Sequence, residues 1–207
     1  QHIVETMGGG AAFLDFDRDG NLDILLVRGT TVEQFRKGGD VVCALFRPNG
    51  KGGFQDVTAA AGIDAKGWGM GVAIGDIDND GWEDIYITCY GPNRLFRNLG
   101  NGKFEEVGSA AGVADPRWSV GASFVDIDHD GDYDLFIGES RRNILYLYKI
   151  TGTPRQAQYG LKKKIRHPTI VDGGVPFTYD WNGAGFLDWF GGVQVGPFVL
   201  SQGTAGA

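Results

Sequence analysis

Apolar residues fall along this chain in short continuous runs, each bounded by glycine and aspartate. One set comprises Ala12-Phe13-Leu14, Val72-Ala73-Ile74 and Ala122-Ser123-Phe124-Val125. The other comprises Ile24-Leu25-Leu26-Val27, Ile85-Tyr86-Ile87 and Leu135-Phe136-Ile137. Runs this short predict β-strands covered on both faces, not amphipathic helices. Two further echoes, Leu45-Phe46-Arg47-Pro48-Asn49-Gly50 and Leu95-Phe96-Arg97-Asn98-Leu99-Gly100, lead into Gly53-Phe54-Gln55-Asp56-Val57 and Lys103-Phe104-Glu105-Glu106-Val107. Asn-Gly pairs at 49–50 and 101–102 mark hairpin turns between them. Ala59–Ile63 and Ala110–Val113 predict single helical turns. Each unit therefore reads strand, loop, strand, strand, strand, with units near 8–63, 68–115, 118–166 and 168–207. In the third, Asn143 to Ile150 is a strand and Thr151 to Gly160 a loop. In the last, strands are expected at Phe177–Trp181, Asp188–Val193 and Pro197–Ser201.

The loop inside each unit carries the repeat. Asp15-Phe16-Asp17-Arg18-Asp19-Gly20-Asn21-Leu22-Asp23 aligns without gaps with Asp76-Ile77-Asp78-Asn79-Asp80-Gly81-Trp82-Glu83-Asp84 and with Asp126-Ile127-Asp128-His129-Asp130-Gly131-Asp132-Tyr133-Asp134. Asp180-Trp181-Asn182-Gly183-Ala184-Gly185-Phe186-Leu187-Asp188 is a weaker copy; successive starts lie 61, 50 and 54 residues apart. That period suits propeller blades of about four strands. The fold class predicted is all-β, a β-propeller of about four blades, either a partial ring or closed with four, with residues 1–207 forming one propeller domain or a propeller fragment.

Carboxylates at positions 1, 3 and 5 of such a turn converge on one point, and glycine at position 6 permits the bend. A backbone carbonyl at position 7 (Asn21, Trp82, Asp132) and a carboxylate at position 9 (Asp23, Asp84, Asp134) can close an all-oxygen cage. Such a shell suits Ca²⁺, with Mg²⁺ second and zinc disfavoured for want of histidine or cysteine. An EF-hand would close with glutamate at position 12 between two helices; position 12 here is Leu26, Ile87 or Ile137, inside strand patterns. The competing reading is a polar turn whose acids accept backbone amides. Three strong sites are expected, with the fourth, reduced to Asp180, Asn182 and Asp188, weak or absent.

Charge sharpens this picture. The net charge is −7, yet 16 of the 26 acidic residues lie in these four segments, on an otherwise basic body. Crowded acids repel and call for a counter-cation. Glycine, at 35 of 207 residues, fits a turn-rich β protein. No apolar run approaches the ~20 residues of a membrane helix, so membrane insertion is not expected. The one basic run, Lys162 to Lys164 with Arg166, is too short to argue for nucleic acid. Cys43 and Cys89 either stay as buried thiols or pair in an oxidising compartment. The chain begins at Gln1 with no signal-peptide pattern, as a mature form or an excised fragment would.

These loops and flanks, above all Val120-Gly121-Ala122-Ser123-Phe124-Val125-Asp126 through Leu135-Phe136-Ile137-Gly138, resemble the FG-GAP/VCBS repeat of calcium-binding β-propellers. A narrower similarity, to the propeller of the cartilage acidic protein family and its bacterial relatives, rests on four segments. They are Glu5-Thr6-Met7-Gly8-Gly9-Gly10-Ala11-Ala12-Phe13, Gly69-Met70-Gly71-Val72-Ala73, Gly91-Pro92-Asn93-Arg94-Leu95-Phe96-Arg97-Asn98 and Ala114-Asp115-Pro116-Arg117-Trp118. The resemblance implies calcium-dependent propellers acting in adhesion or protein recognition, and it transfers no catalytic residues. Such propellers run to about six or seven blades; four units fall short, and an open ring would expose an apolar blade face through which copies can self-associate. His2-Ile3-Val4-Glu5 is a candidate closing strand.

Nothing else in the chain reads as catalytic. His2, His129 and His167 are scattered, and no nucleophile elbow, phosphate loop or dinucleotide motif is present. A non-enzymatic, secreted or periplasmic recognition module is expected, its protein or glycan ligand unspecified. The alternative is the propeller portion of a carbohydrate-active enzyme of polysaccharide-lyase type, or a glycan-binding module, with Trp68, Trp118, Trp181 and Trp189 lining a sugar face.

Overall fold

The computed structural model describes Glu5 and residues 9–140, 144–150, 159–166, 175–179, 188–192 and 199–201; from 175 onward, backbone pairing alone is described. The candidate closing strand at residues 2–4 lies outside these residues. The architecture is all-β and of propeller type; among the described residues, four antiparallel blade sheets follow one another in chain order, with a two-stranded fifth sheet beside the first.

The first blade runs β1 (Ala11–Leu14), β2 (Asp23–Val27), β4 (Cys43–Pro48) and β5 (Phe54–Asp56). Between β2 and β4 lie a short helix, α1 (Val32–Arg36), and β3 (Asp40–Val41); α2 (Thr58–Ala61) follows β5, and β6 (Lys66–Gly67) pairs with β3. The second blade is β7 (Gly69–Gly75), β8 (Asp84–Cys89), β9 (Arg94–Asn98) and β10 (Phe104–Glu106). The third is β11 (Ser119–Val125), β12 (Asp134–Glu139), β13 (Ile144–Ile150) and β14 (Tyr159–Arg166). The fourth sheet has β15 (Val175–Tyr179), β16 (Asp188–Gly192) and β17 (Val199–Ser201).

Three local expectations change. The alanine-rich stretch at 110–113 forms hydrogen-bonded turns, not a helix, whereas its counterpart forms α2, closed by Gly62 at φ 77°. β14 begins at Tyr159, inside the segment read as a loop, because the Tyr159 amide bonds to the Ala111 carbonyl of the preceding blade at 2.8 Å. Neither α1 nor the β3–β6 pair is anticipated by the apolar pattern. α1 presents no fully buried residue, which removes the period-3.6 signal; its start is set by Thr31, whose hydroxyl accepts the Gln34 amide.

The register explains why apolar runs are continuous. Ile85 and Ile87 of β8 face the first blade, within a core that includes Leu14, Leu25, Val27 and Leu45; Tyr86, between them, faces the third blade. Leu135 and Ile137 of β12 repeat the backward-facing positions, and Phe136 faces away with Val125 and Leu147. Alternate side chains thus fill two different inter-blade cores, which is why the middle of each of these strands is apolar on both faces. The inner strands meet closely: a Cβ on Gly71 would sit 2.6 Å from the Val120 carbonyl oxygen.

The same register exposes one face. Phe13 and Leu26 of the first blade are equivalent to Ile74 and Ile87 of the second. Where those are packed against a preceding blade, Phe13 and Leu26 are 68% and 42% exposed.

Cys43 and Cys89 are both buried free thiols, and burial pushes each up to about 12. Trp68 does not line an open face: it is buried against Met70, Phe35 and Tyr90, with Tyr90 in turn edge-on to Trp118 at 5.4 Å. The sugar-face reading fails for Trp68, whose ring is consumed by packing; the side chains of Trp181 and Trp189 lie outside the described residues.

Candidate metal centre

Each acidic loop joins the first two strands of a blade, so antiparallel pairing fixes its ends: Leu14 pairs with Asp23, Gly75 with Asp84 and Val125 with Asp134. The turn is shaped the same way three times. Position 6 is glycine at φ 86°, 90° and 91° (Gly20, Gly81, Gly131). Position 4 is also left-handed, at 55°, 54° and 57°, although it is occupied by Arg18, Asn79 and His129. Asparagine and histidine tolerate that region better than most residues; arginine at 18 gives no such signal.

The carboxylates do accept backbone amides, as a polar turn would. Asp15, Asp76 and Asp126 at position 1 each take the amides of positions 5 and 6 at 2.7–3.1 Å. At position 5, Asp19, Asp80 and Asp130 take the amide of position 7, that of Asn21, Trp82 or Asp132. Asp17 accepts the Asp19 amide at 3.3 Å. Asn21 turns its side-chain amide onto Asp19, and Asp132 accepts from the Asn79 side chain.

These bonds do not use up the oxygens. Asp15, Asp17 and Asp19 bring one carboxylate oxygen each within 4.8 Å of one another. Asp126, Asp128 and Asp130 do the same; in the second loop the trio is Asp76, Asp78 and Asp84. Position 9 is wholly buried in all three loops (Asp23, Asp84, Asp134). In Asp84 one oxygen takes the Ile77 amide at 2.9 Å and the other the Asn98 amide at 2.7 Å. In the first loop the Phe16 amide serves Asp23 Oδ2, but the residue equivalent to Asn98 is Pro48, which has no N–H. Asp23 Oδ1 is left without a partner, as are Asp78 Oδ1 and Asp134 Oδ2.

Burying a carboxylate without partners disfavours its charge. Burial, reinforced by neighbouring aspartates, raises Asp23, Asp78 and Asp134 to about 6 each. Burial raises Asp84 to about 7 against the opposing pull of its two amide donors. Each loop therefore contains at least one oxygen that lacks a protein donor and whose charge is costly, beside other carboxylates. That donor set fits a hard divalent cation held by oxygen. Asp180 and Asn182 lie outside the described residues, as does the Asp188 side chain.

Two features escape the sequence pattern. The loops are linked: the Arg18 guanidinium donates to the Gly81 carbonyl and lies over the Trp82 ring, while Asn79 Nδ2 donates to the Gly131 carbonyl at 3.1 Å. The left-handed position 4 thus ties the first loop to the second and the second to the third. Secondly, the third strand of each of the first three blades carries a base at an equivalent position near the acids. Arg47 meets Asp17 at 2.9 Å, and Lys149 pairs with Asp128 and with Asp130. The Leu-Phe-Arg echo held this signal for two of the three blades.

A family model for the FG-GAP-like repeat matches residues 15–87 and 76–137, together more than half of the chain. No curated protein matches. Among solved structures, a Tc holotoxin pore of Photorhabdus luminescens shares 15% identity at a TM-score of 0.42, over 94% of this chain and 11% of that one. Among the described residues, no helix is long and apolar enough to cross a membrane. The repeated loops, their place between the first two strands of each blade and the matched span make this chain a member of the FG-GAP-like repeat family.

Proposed function

We propose that this chain is a calcium-stabilised β-propeller module for protein recognition, of the secreted, adhesion-associated kind and without catalytic activity of its own. The observation that carries the reading is the buried oxygen without a donor in each loop, at Asp23, Asp78 and Asp134, beside carboxylates already gathered to one point. The ion would be held by Asp15, Asp17, Asp19 and Asp23, by Asp76, Asp78 and Asp84, and by Asp126, Asp128, Asp130 and Asp134. It supplies charge neutralisation and a rigid turn. The residues of the chain build the recognition surface around those turns. The narrower similarity to cartilage acidic protein propellers is part of this proposal, and so is an extracellular or periplasmic address, where free calcium reaches the millimolar level that modest sites require. Equilibrium dialysis against 1 mM calcium with elemental analysis tests it. Three bound ions per chain are expected from the first three loops, and a calcium-free protein would overturn the reading.

Self-association through the uncovered face of the first blade belongs to the same proposal. Phe13→Ser with Leu26→Ser should shift the sedimentation profile towards monomer. An unchanged distribution of species would exclude that face as the contact.

A further inference from the structure

Strand register makes Arg47, Arg97 and Lys149 equivalent, since Phe46, Phe96 and Tyr148 occupy matching partner positions opposite Ile24, Ile85 and Leu135. Each of the first three blades thus carries one cation near its acidic loop, and the three behave differently. Arg47 Nη1 reaches a single acid, Asp17 Oδ2, at 2.9 Å. Arg97 Nη2 pairs with Glu105 on the neighbouring strand β10 at 2.9 Å, and its charge also acts on Asp78 of the second loop. Lys149 Nζ lies between two acids of the third loop, pairing with Asp128 Oδ2 and reaching Asp130 Oδ2 at 2.7 Å. Those are two of the three carboxylates gathered there, and the buried Asp134 beside them keeps one oxygen without a donor. The geometry differs too: the Lys149 ammonium, a compact charge with three donors, bridges two of the loop's carboxylates, whereas the Arg47 guanidinium is paired with Asp17.

We propose that Lys149 is a tethered counter-cation of the third loop, bridging the acids a divalent ion would share, so that this loop binds calcium more weakly than the first two and stays ordered when calcium is scarce. This rests on the calcium reading above. An arriving ion must displace the ammonium from two of the gathered carboxylates, Asp128 and Asp130, where Arg47 holds only Asp17 in the first loop, and then endure a positive charge a few ångströms away. A dication and a monovalent cation at that separation repel enough, even in water, to weaken binding about tenfold. In exchange, the third loop carries its own neutralising charge without any ion. The three sites of one propeller are thereby graded, and the third responds at higher calcium.

Isothermal titration of the full chain with calcium chloride, beside thermal melting in chelator, tests this. The wild type should show two tighter sites and one weaker. Lys149→Met should tighten the weaker site about tenfold and lower the melting temperature in chelator. Lys149→Gln is read alongside in case the apolar replacement perturbs folding, and should act in the same direction. Lys149→Arg should leave the melting temperature in chelator near that of the wild type, and Arg97→Met should leave the weak site where it was. Calcium uptake by the wild type with Lys149→Met and Lys149→Gln isotherms that superimpose on it, or that show weaker binding, overturns the role of Lys149 alone. A wild type that takes up no calcium overturns the calcium reading and this inference with it.

Discussion

Removing calcium with a chelator at neutral pH should lower the melting temperature by about 15 °C relative to 1 mM calcium, as read by calorimetry. The size follows from linkage. A site filled to a hundred times its dissociation constant adds about 2.7 kcal/mol, and a domain of this length shifts about 2–4 °C per kcal/mol. The first two loops supply about 5 kcal/mol between them on that footing. The third supplies less, because Lys149 already neutralises part of it. The direction has a structural origin. Without the ion, folding buries Asp23, Asp78 and Asp134 with oxygens that no donor meets, a cost that unfolding relieves. A fall of under about 3 °C would mean that the loops are held by their amide bonds alone.

Those amide bonds are what the competing polar-turn reading of the same residues predicts. Nine-residue repeats with acids at positions 1, 3, 5 and 9 are legible from the chain, and so is their place between two strands, because glycine and aspartate bracket every apolar run. What the letters do not separate is an acid whose two oxygens are both met by amides from one that keeps a buried oxygen without a donor, since Asp84 and Asp23 are identical in the alignment. Their difference comes from a strand away: Asn98 offers an N–H to Asp84, and Pro48 offers none to Asp23. Such long-range partners depend on register, which a local pattern fixes only once pairing is known. The same holds for Lys149, which stands where the first two blades have arginine and so falls outside the Leu-Phe-Arg echo. Trp68 shows the opposite failure. Tryptophans repeated before inner strands invite a binding-face reading, but Phe35 of α1, an element with no buried residue to announce it, closes over that ring.

Asp78 offers the sharpest separation of the two roles, because its substitution should change sign with the solvent. Asp78 is buried and its Oδ1 has no donor, while burial and the charges of Asp80 and Asp76 raise it to about 6. At pH 7.5 in chelator, folding must bury that charge beside two others of the same sign. Asp78→Asn removes the charge at nearly constant volume, so the variant should melt higher than the wild type by a few degrees. In 1 mM calcium the order should invert: the second loop loses one of three carboxylates, and with it most of the about 2.7 kcal/mol that a filled site contributes, or about 5–10 °C. Asp84→Asn should not invert. Asp84 accepts the Ile77 and Asn98 amides, so an amide group there loses at least one acceptor and destabilises in both solvents. Melting curves of the two variants with and without calcium therefore distinguish an ion-holding carboxylate from a turn-capping one. If Asp78→Asn destabilises equally in both solvents, Asp78 is a structural acid and the second loop holds no ion.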